Sequence, residues 1–311
     1  MRIRWRGSAY GRNVVSNMAL TCLSQHSLLG DAGPVITVER VLHLADAPPD
    51  HIVTDDFCTM SHSPAGWRNE FHGWATVMVS PNGTHVRALA HPGCTRTTLM
   101  HLTCDMVLPA AVAATAMMAF HASAVVLADG AVMFLGPSGR GKSFLSVALA
   151  LQGAAFMADD HVTISRSDDG FHVHLAYPGA RLHRNSIEVL WGVASAVTTF
   201  PVAQYTDKRR IRASLAGIAT ADRMPLRACV VLGHEHYEGP ATLAPMRPSV
   251  AIGAMADQVM TNYQHNRIGQ QLVVEDVAQL VERIPVFHLD YERCATEVTA
   301  VAELLCRLPS R

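Results

Sequence analysis

Gly136 to Ser143 read GPSGRGKS, a full match to the pattern G-x-x-x-x-G-K-[ST]. An apolar run, Ala131 to Leu135 (AVMFL), precedes the match and reads as a buried strand. Ser143 to Leu151 (SFLSVALAL) follows it and reads as a helix. Strand, glycine loop and helix in that order form the context the pattern needs, and they commit this part of the chain to an α/β core. Loop N–H groups and the positive end of the helix dipole make a cradle for a phosphate chain. Lys142 can reach outer phosphates, and the Ser143 hydroxyl can hold a magnesium ion. The nucleotide-binding candidates are therefore Gly136, Pro137, Ser138, Gly139, Arg140, Gly141, Lys142 and Ser143. The alternative is a glycine-rich turn between a strand and a helix that binds nothing; a match with the right flanks on both sides favours the phosphate cradle over it.

A second site is predicted after the helix. An apolar strand, Ala154 to Ala158, delivers two adjacent carboxylates, Asp159 and Asp160. Ligands of α/β sheets sit at the carboxyl ends of strands, so both acids are expected near the glycine loop. Phosphoryl transfer needs a cation on the phosphates and a group that accepts the proton of an attacking hydroxyl. Two neighbouring carboxylates can divide those tasks, whereas an acid pair in an ordinary turn is merely solvated. His121 opens the hairpin HASAVVLADGAVMFLG, whose geometry returns its start to the loop end of the strand. An imidazole there can orient a carboxylate or contact a phosphate. In the basic run DKRRIR, Asp207 to Arg212, most charges read as a solvated strand face. Lys208 is the exception, a cation able to neutralise a transferred phosphoryl group, with Arg181 a weaker candidate for the same work.

Composition sets the outer limits. The 311 residues are 49% hydrophobic with a formal net charge of −1, which fits a globular chain and offers no nucleic-acid surface. Seven cysteines, an odd number without C-x-x-C, read as reduced thiols of a cytoplasmic protein. His172/His174 and His234/His236 have strand spacing but no further ligand set, so they are read as surface histidines rather than a zinc site. The basic N-terminus lacks an apolar core, so no signal peptide is read. Val107 to Ala128 carries Pro109, Thr115, His121 and Ser123, and reads as a helix over 110–119 and a strand over 122–127 rather than a membrane span. Residues 1–105 predict short strands joined by hairpin turns, among them GPVITV, WATVMV and the turn Pro81-Asn82-Gly83. Residues 106–311 predict one α/β domain, with strands over 228–232 and 286–289 and helices over 274–283 and 293–307.

HASAV ahead of GPSGRGKS, followed by ADD, resembles the catalytic half of the HPr kinase/phosphorylase family. LP at Leu108-Pro109, YPGARL at 177–182, DKRR at 207–210, PLRACVVL at 225–232 and IPVFHL at 284–289 are closer still to the HPr-kinase-like proteins of lasso-peptide biosynthesis clusters. The resemblance spans roughly residues 105 to 308. It implies a phosphoenolpyruvate-carboxykinase-like α/β fold with a mixed sheet. The smaller β-rich region, residues 1–105, matches only loosely, and substrate docking is expected of it from its position alone. The resemblance also implies Mg-ATP-dependent phosphorylation of a serine, in the lasso-associated relatives one near the C-terminus of a precursor peptide. By similarity Lys142 binds phosphate, Ser143 and Asp159 hold magnesium, Asp160 is the general base, and Asp159 and His121 assist. The family's E-I-R-G-L-G segment is absent, YPGARLHRNSIE standing in its place, so neither HPr as acceptor nor a phosphorylase activity follows. The expected partner is a peptide or small-protein phosphoacceptor, with neither nucleic acid nor membrane; the relatives often form hexamers, which leaves a homo-oligomer open. Two rival readings share the loop: a nucleotide-dependent switch without transfer, and a kinase of a small hydroxylated metabolite.

Overall fold

The computed structural model describes residues 2–23, 29–30, 33–45, 48–192, 197–233, 237–260, 267–292 and 294–308, without the side chains of 267–270, 295 and 296. The histidine pair His234/His236 lies outside the described residues. Two compact units result: Met1–Met117 with Pro201–Asp207, and Met118–Phe200 with Lys208–Arg311.

The first unit is built on an eight-stranded sheet. Its strand order is Trp5–Ala9, Arg12–Ser16, Ile36–Arg40, His85–Ala90, Ala75–Val79, Gly66–Phe71, Cys58–Ser63 and His51–Thr54. Local turn chemistry explains the hairpins. Tyr10 and Gly11, both at positive φ, form the two-residue turn between the first strands. Asn82 Oδ1 accepts from Ser80 Oγ, Thr84 N and Thr84 Oγ1 in the predicted Pro81-Asn82-Gly83 turn. A helical stretch then runs over Arg96–His101, a wider π segment Leu102–Val107, and Leu108–Ala113. The sequence had pointed to a helix over 110–119 instead. Thr95 starts the stretch earlier by accepting from Thr98 N. Pro109, which lacks an N–H, is accommodated because the wide π turn directly before it already interrupts the ladder. The sheet holds this stretch through Tyr10 Oη donating to Cys104 O at 3.2 Å and Arg12 donating to Thr115 Oγ1 at 2.7 Å. That packing moves the unit border from the expected 105 to Met117.

The second unit has a mixed, nine-stranded sheet. One path runs Ala155–Ala158, Ser123–Leu127, Gly130–Leu135, Arg223–Leu232, Gly170–His174, Val162–Ser167 and Met118–Phe120. Arg223–Leu232 also pairs in parallel with Val286–Asp290, which pairs with Thr242–Pro245. The long strand begins five residues before the apolar run read from sequence, because its first half, RMPLR, shows no strand pattern. The buried Arg227 in that half is held by the carbonyls of Leu308 and Leu127 and by Asp129. His172 and His174 are buried rather than on the surface as expected; the neighbouring antiparallel strand presents Ser167 and Ser165 to their rings at 3.2 and 2.7 Å.

The helix Lys142–Leu151 is apolar nearly all round because it is covered on two sides. Leu145, Ala148 and Leu149 pack with Val125, Val132 and Phe134 of the sheet and with Val298, Val301 and Leu305 of the helix Ala295–Cys306. Val147 and Ala150 pack with Phe156, Ala180, Leu182 and Ile211. Each buried Leu or Phe contributes about 1.5–3 kcal/mol, so the position of this helix, and of the loop it carries, is firmly set. Among the described residues, no helix is long and apolar enough to cross a membrane.

Candidate active site

Strand pairing brings the predicted groups to one end of the sheet. Ser123–Leu127 runs antiparallel to Gly130–Leu135, with Ser123 opposite Phe134, so His121 lies at the level of the glycine loop. Ala155–Ala158 runs antiparallel to the other edge of Ser123–Leu127, with Ala158 opposite Ala124. The acids that follow Ala158 therefore emerge beside His121, and Ala122 N donates to Asp160 O at 3.3 Å.

The loop connects the strand Gly130–Leu135 to the helix Lys142–Leu151 as expected. Gly141, at φ 86°, is the residue before the helix and supplies no capping side chain. The first-turn N–H groups thus lack the side-chain oxygen that usually covers them, which suits an anion. Gly136, at φ 136°, passes the Leu232 carbonyl so closely that a Cβ would stand 3.3 Å from it. Lys142 is buried, its Nζ donating to Gly136 O at 2.6 Å and Pro137 O at 3.1 Å. Burial lowers its pKa, the charges of Asp160 and Asp159 oppose the shift, and Lys208 adds to it.

A cleft of about 360 Å³ opens above the loop. Ser138, Gly139, Gly141, Lys142 and Ser143 line it, with His121, Asp160, Arg181 and Lys208 opposite and around them. Gly136, Pro137 and Arg140, also expected in the nucleotide set, do not line the cleft. Nor does Asp159, which is 1% exposed beneath it.

The two acids occupy different environments. Asp160 adopts φ 69°, a left-handed conformation uncommon for a non-glycine residue. One carboxylate oxygen faces His121 Nε2 at 3.2 Å, and the other accepts from the Arg181 guanidinium. Burial pushes the Asp160 carboxyl up, but Arg181, His121 and His161 together hold it well below the ordinary carboxylate range. Asp159 Oδ2 accepts from Arg181 N at 2.7 Å. Asp159 Oδ1 is buried with no hydrogen-bond partner. Burial and then the Asp160 charge raise the Asp159 pKa; Arg181 and the Ser143 hydroxyl, which faces the carboxylate without reaching strict hydrogen-bond geometry, pull it back. Arg181 thus touches both acids, one through its backbone and one through its side chain, although the sequence marked it only as a weaker candidate. Its strand, Gly179–Leu182, pairs with Arg209–Arg212, and the guanidinium of Arg210 lies 5.0 Å from the Tyr177 ring centre, with that of Arg181 at 5.8 Å. Glu188, the nearest acid of the YPGARLHRNSIE stretch, does not line the cleft.

The donor set suits a magnesium ion. Among the described residues, no cluster of three or more His, Cys, Asp or Glu could hold a metal. Magnesium takes one or two carboxylates and completes its shell with water and phosphate oxygens. Ser143 and the unpartnered Asp159 Oδ1 offer that kind of partial site.

Comparison with solved structures finds a likeness to the structure of the Hpr(Ser) kinase/phosphatase from Coxiella burnetii, at 12% identity over 60% of this chain and 87% of that one, with a TM-score of 0.33. No protein-family model and no curated protein matches the chain. A TM-score of 0.33 is too loose to carry fold or activity across, so the functional reading rests on the residues of the cleft.

Proposed function

We propose that the chain is a Mg-ATP-dependent serine kinase acting on a peptide or small protein. The observation that carries this reading is the meeting of an ionised carboxylate, Asp160, with a glycine loop, Lys142 and Lys208 around one cleft. A switch that binds nucleotide without turning it over needs the cradle but has no use for a proton acceptor beside it.

Loop amides and the N-terminal end of the helix Lys142–Leu151 bind the phosphate chain. Lys142 leaves its bonds to the loop carbonyls to meet an outer phosphate oxygen, and Lys208 neutralises charge on the transferred group. Ser143 and Asp159 would hold magnesium, which would offset negative charge on the phosphate chain. Asp160 orients the acceptor hydroxyl and takes its proton as the bond from that oxygen to the γ-phosphorus forms and the bond from the γ-phosphorus to the bridging oxygen breaks, ADP leaving with the electron pair. Its low pKa makes it a weak base, which suits a loose transition state where the proton leaves late. His121 and Arg181 keep the carboxylate ionised and aimed.

The resemblance of the motifs points to a serine near the C-terminus of a lasso-type precursor peptide as acceptor. The test is incubation with γ-labelled ATP, magnesium and a panel of such a peptide, HPr and free serine, followed by intact-mass analysis. Phosphate is expected on the peptide serine. Asp160→Asn should reduce transfer by at least about a hundredfold with ATP affinity retained, and Lys142→Ala should abolish transfer. Full activity of Asp160→Asn would remove the base assignment. Tight ATP binding with no acceptor labelled would replace the kinase by a switch.

A further inference from the structure

The first unit contains a cavity of about 390 Å³, as roomy as the cleft of the second. Three arginines, Arg4, Arg40 and Arg96, line it together with Asn17, Met18, Ala19 and Leu99. Among the described residues, no acidic side chain lines the cavity and no carboxylate pairs with any of the three guanidinium groups.

The arrangement is made by the fold and not by composition. Residues 1–117 hold eight arginines, no lysine and eight acidic residues, which balance to zero. The sheet sets three of the acids apart: Arg4 precedes one edge strand and Arg40 ends the third strand from that edge, while Asp50, Asp55 and Asp56 flank the opposite edge strand, His51–Thr54. Glu39, next to Arg40 in the chain, faces Arg87 at 3.9 Å instead. The cavity is also firmly built. The Asn17 side chain donates to Arg40 O and accepts from Arg40 N, both at 2.9 Å, and Arg96 donates to Ala19 O at 2.9 Å. Like charges gathered without counter-charge raise the local potential and attract an anion. Guanidinium forks match carboxylates and phosphates alike. The apolar lining residues separate the two, because a bare phosphate gains nothing from Met18 and Ala19, whereas an acidic peptide can lay its apolar side chains on them.

We propose that this cavity binds an acidic segment of the peptide or small protein that the chain phosphorylates. That this segment belongs to a phosphoacceptor rests on the kinase reading; its binding to the arginines does not.

The test is fluorescence anisotropy of a labelled peptide alternating Glu with Leu, against a twin alternating Gln with Leu, in the absence of nucleotide. The acidic peptide should bind at least about tenfold more tightly than the twin, and its affinity should fall as salt rises. The double variant Arg4→Gln/Arg40→Gln should lose about tenfold in peptide affinity. Neither side chain hydrogen-bonds to the fold, so thermal midpoint and ATP affinity should be unchanged, which separates lost binding from lost folding. Equal binding of both peptides, or unaltered affinity of the double variant, would overturn the proposal. Displacement of the acidic peptide by inorganic phosphate, beyond that by chloride at equal ionic strength, would make this a phosphate site and overturn it as well. A chain that binds the acidic peptide through these arginines yet transfers no phosphate would remove the kinase reading and leave the binding site standing. A chain that phosphorylates its acceptor while the double variant binds peptide normally would do the reverse.

Discussion

Asp159 and Asp160 are neighbours in sequence, and their surroundings push them in opposite directions. Asp160 is partly open to the cleft, and Arg181 and His121 keep it ionised. Asp159 lies beneath, where burial raises its pKa. The strand ends at Ala158 and the backbone turns to φ 69° at Asp160, so the two side chains part: Asp160 lines the cleft while Asp159 stays buried. A prediction at this scale concerns Arg181. Its cation favours the ionised Asp160, so the carboxylate survives to lower pH than an ordinary one. Arg181→Gln removes that cation and lets the pKa rise, and the acid limb of the rate of transfer should move to higher pH. An acid limb that stays in place when the rate is followed against pH would mean that Arg181 does not tune the base. Asp160 was legible in the sequence because it follows an apolar run one helix after the loop. Arg181 was much less so, since its contact with the acids depends on how the strand Gly179–Leu182 is placed.

Elements that carry their own local signals were read with small errors at the ends. The strand before the loop is Gly130–Leu135 and the helix after it Lys142–Leu151, each one residue longer than the apolar run suggested. The strand Val286–Asp290 and the helix Ala295–Cys306 lie where the tail was expected to alternate, but the helix before them, Arg267–Arg283, begins seven residues ahead of the expected Val274. Failures came where tertiary contacts outweighed pattern, as in the helical stretch through Pro109 and the first half of Arg223–Leu232. The hairpin between Leu127 and Gly130 offers a test at this scale. Ala128 occupies φ 54° there, a left-handed conformation that costs an L-residue about 1–2 kcal/mol. Glycine removes that cost but gives the unfolded chain more freedom, so Ala128→Gly should stabilise by about 0.5–1 kcal/mol. Urea unfolding measures it, and a destabilised variant would contradict the assigned turn.

At the scale of the whole molecule, the chain leaves the second unit after Phe200, contributes residues 201–207 to the first, and returns at Lys208. Within the first unit, Val202 and Ala203 are buried. Gln204 Oε1 accepts from Thr95 N at 2.7 Å and Thr98 Oγ1 at 3.0 Å, and its N–H donates to Thr98 Oγ1 at 3.0 Å. The Tyr205 ring lies 4.9 Å from that of Phe57 and 5.7 Å from that of Trp74. A chain cut to 118–311 would expose these groups without partners. It should be less soluble than the full chain and unfold over a broader temperature range, as sedimentation and calorimetry would register. A soluble fragment with one sharp transition would show that the segment stands on its own.

The sequence by itself determined the glycine loop, its flanking strand and helix, and the acid pair that follows, because each is coded by residues close together along the chain. Local periodicity, helix capping and turn chemistry act over only a few residues. Tertiary structure alone decided which groups meet. Antiparallel pairing on both edges of Ser123–Leu127 brings His121 to Asp160 across 39 residues, and a separate strand pair carries Arg181 to both acids. Parallel pairing of Arg12–Ser16 with Ile36–Arg40 sets Asn17 against Arg40. Such pairings are selected by which faces bury apolar surface together, a property of the folded whole that no short stretch of sequence contains.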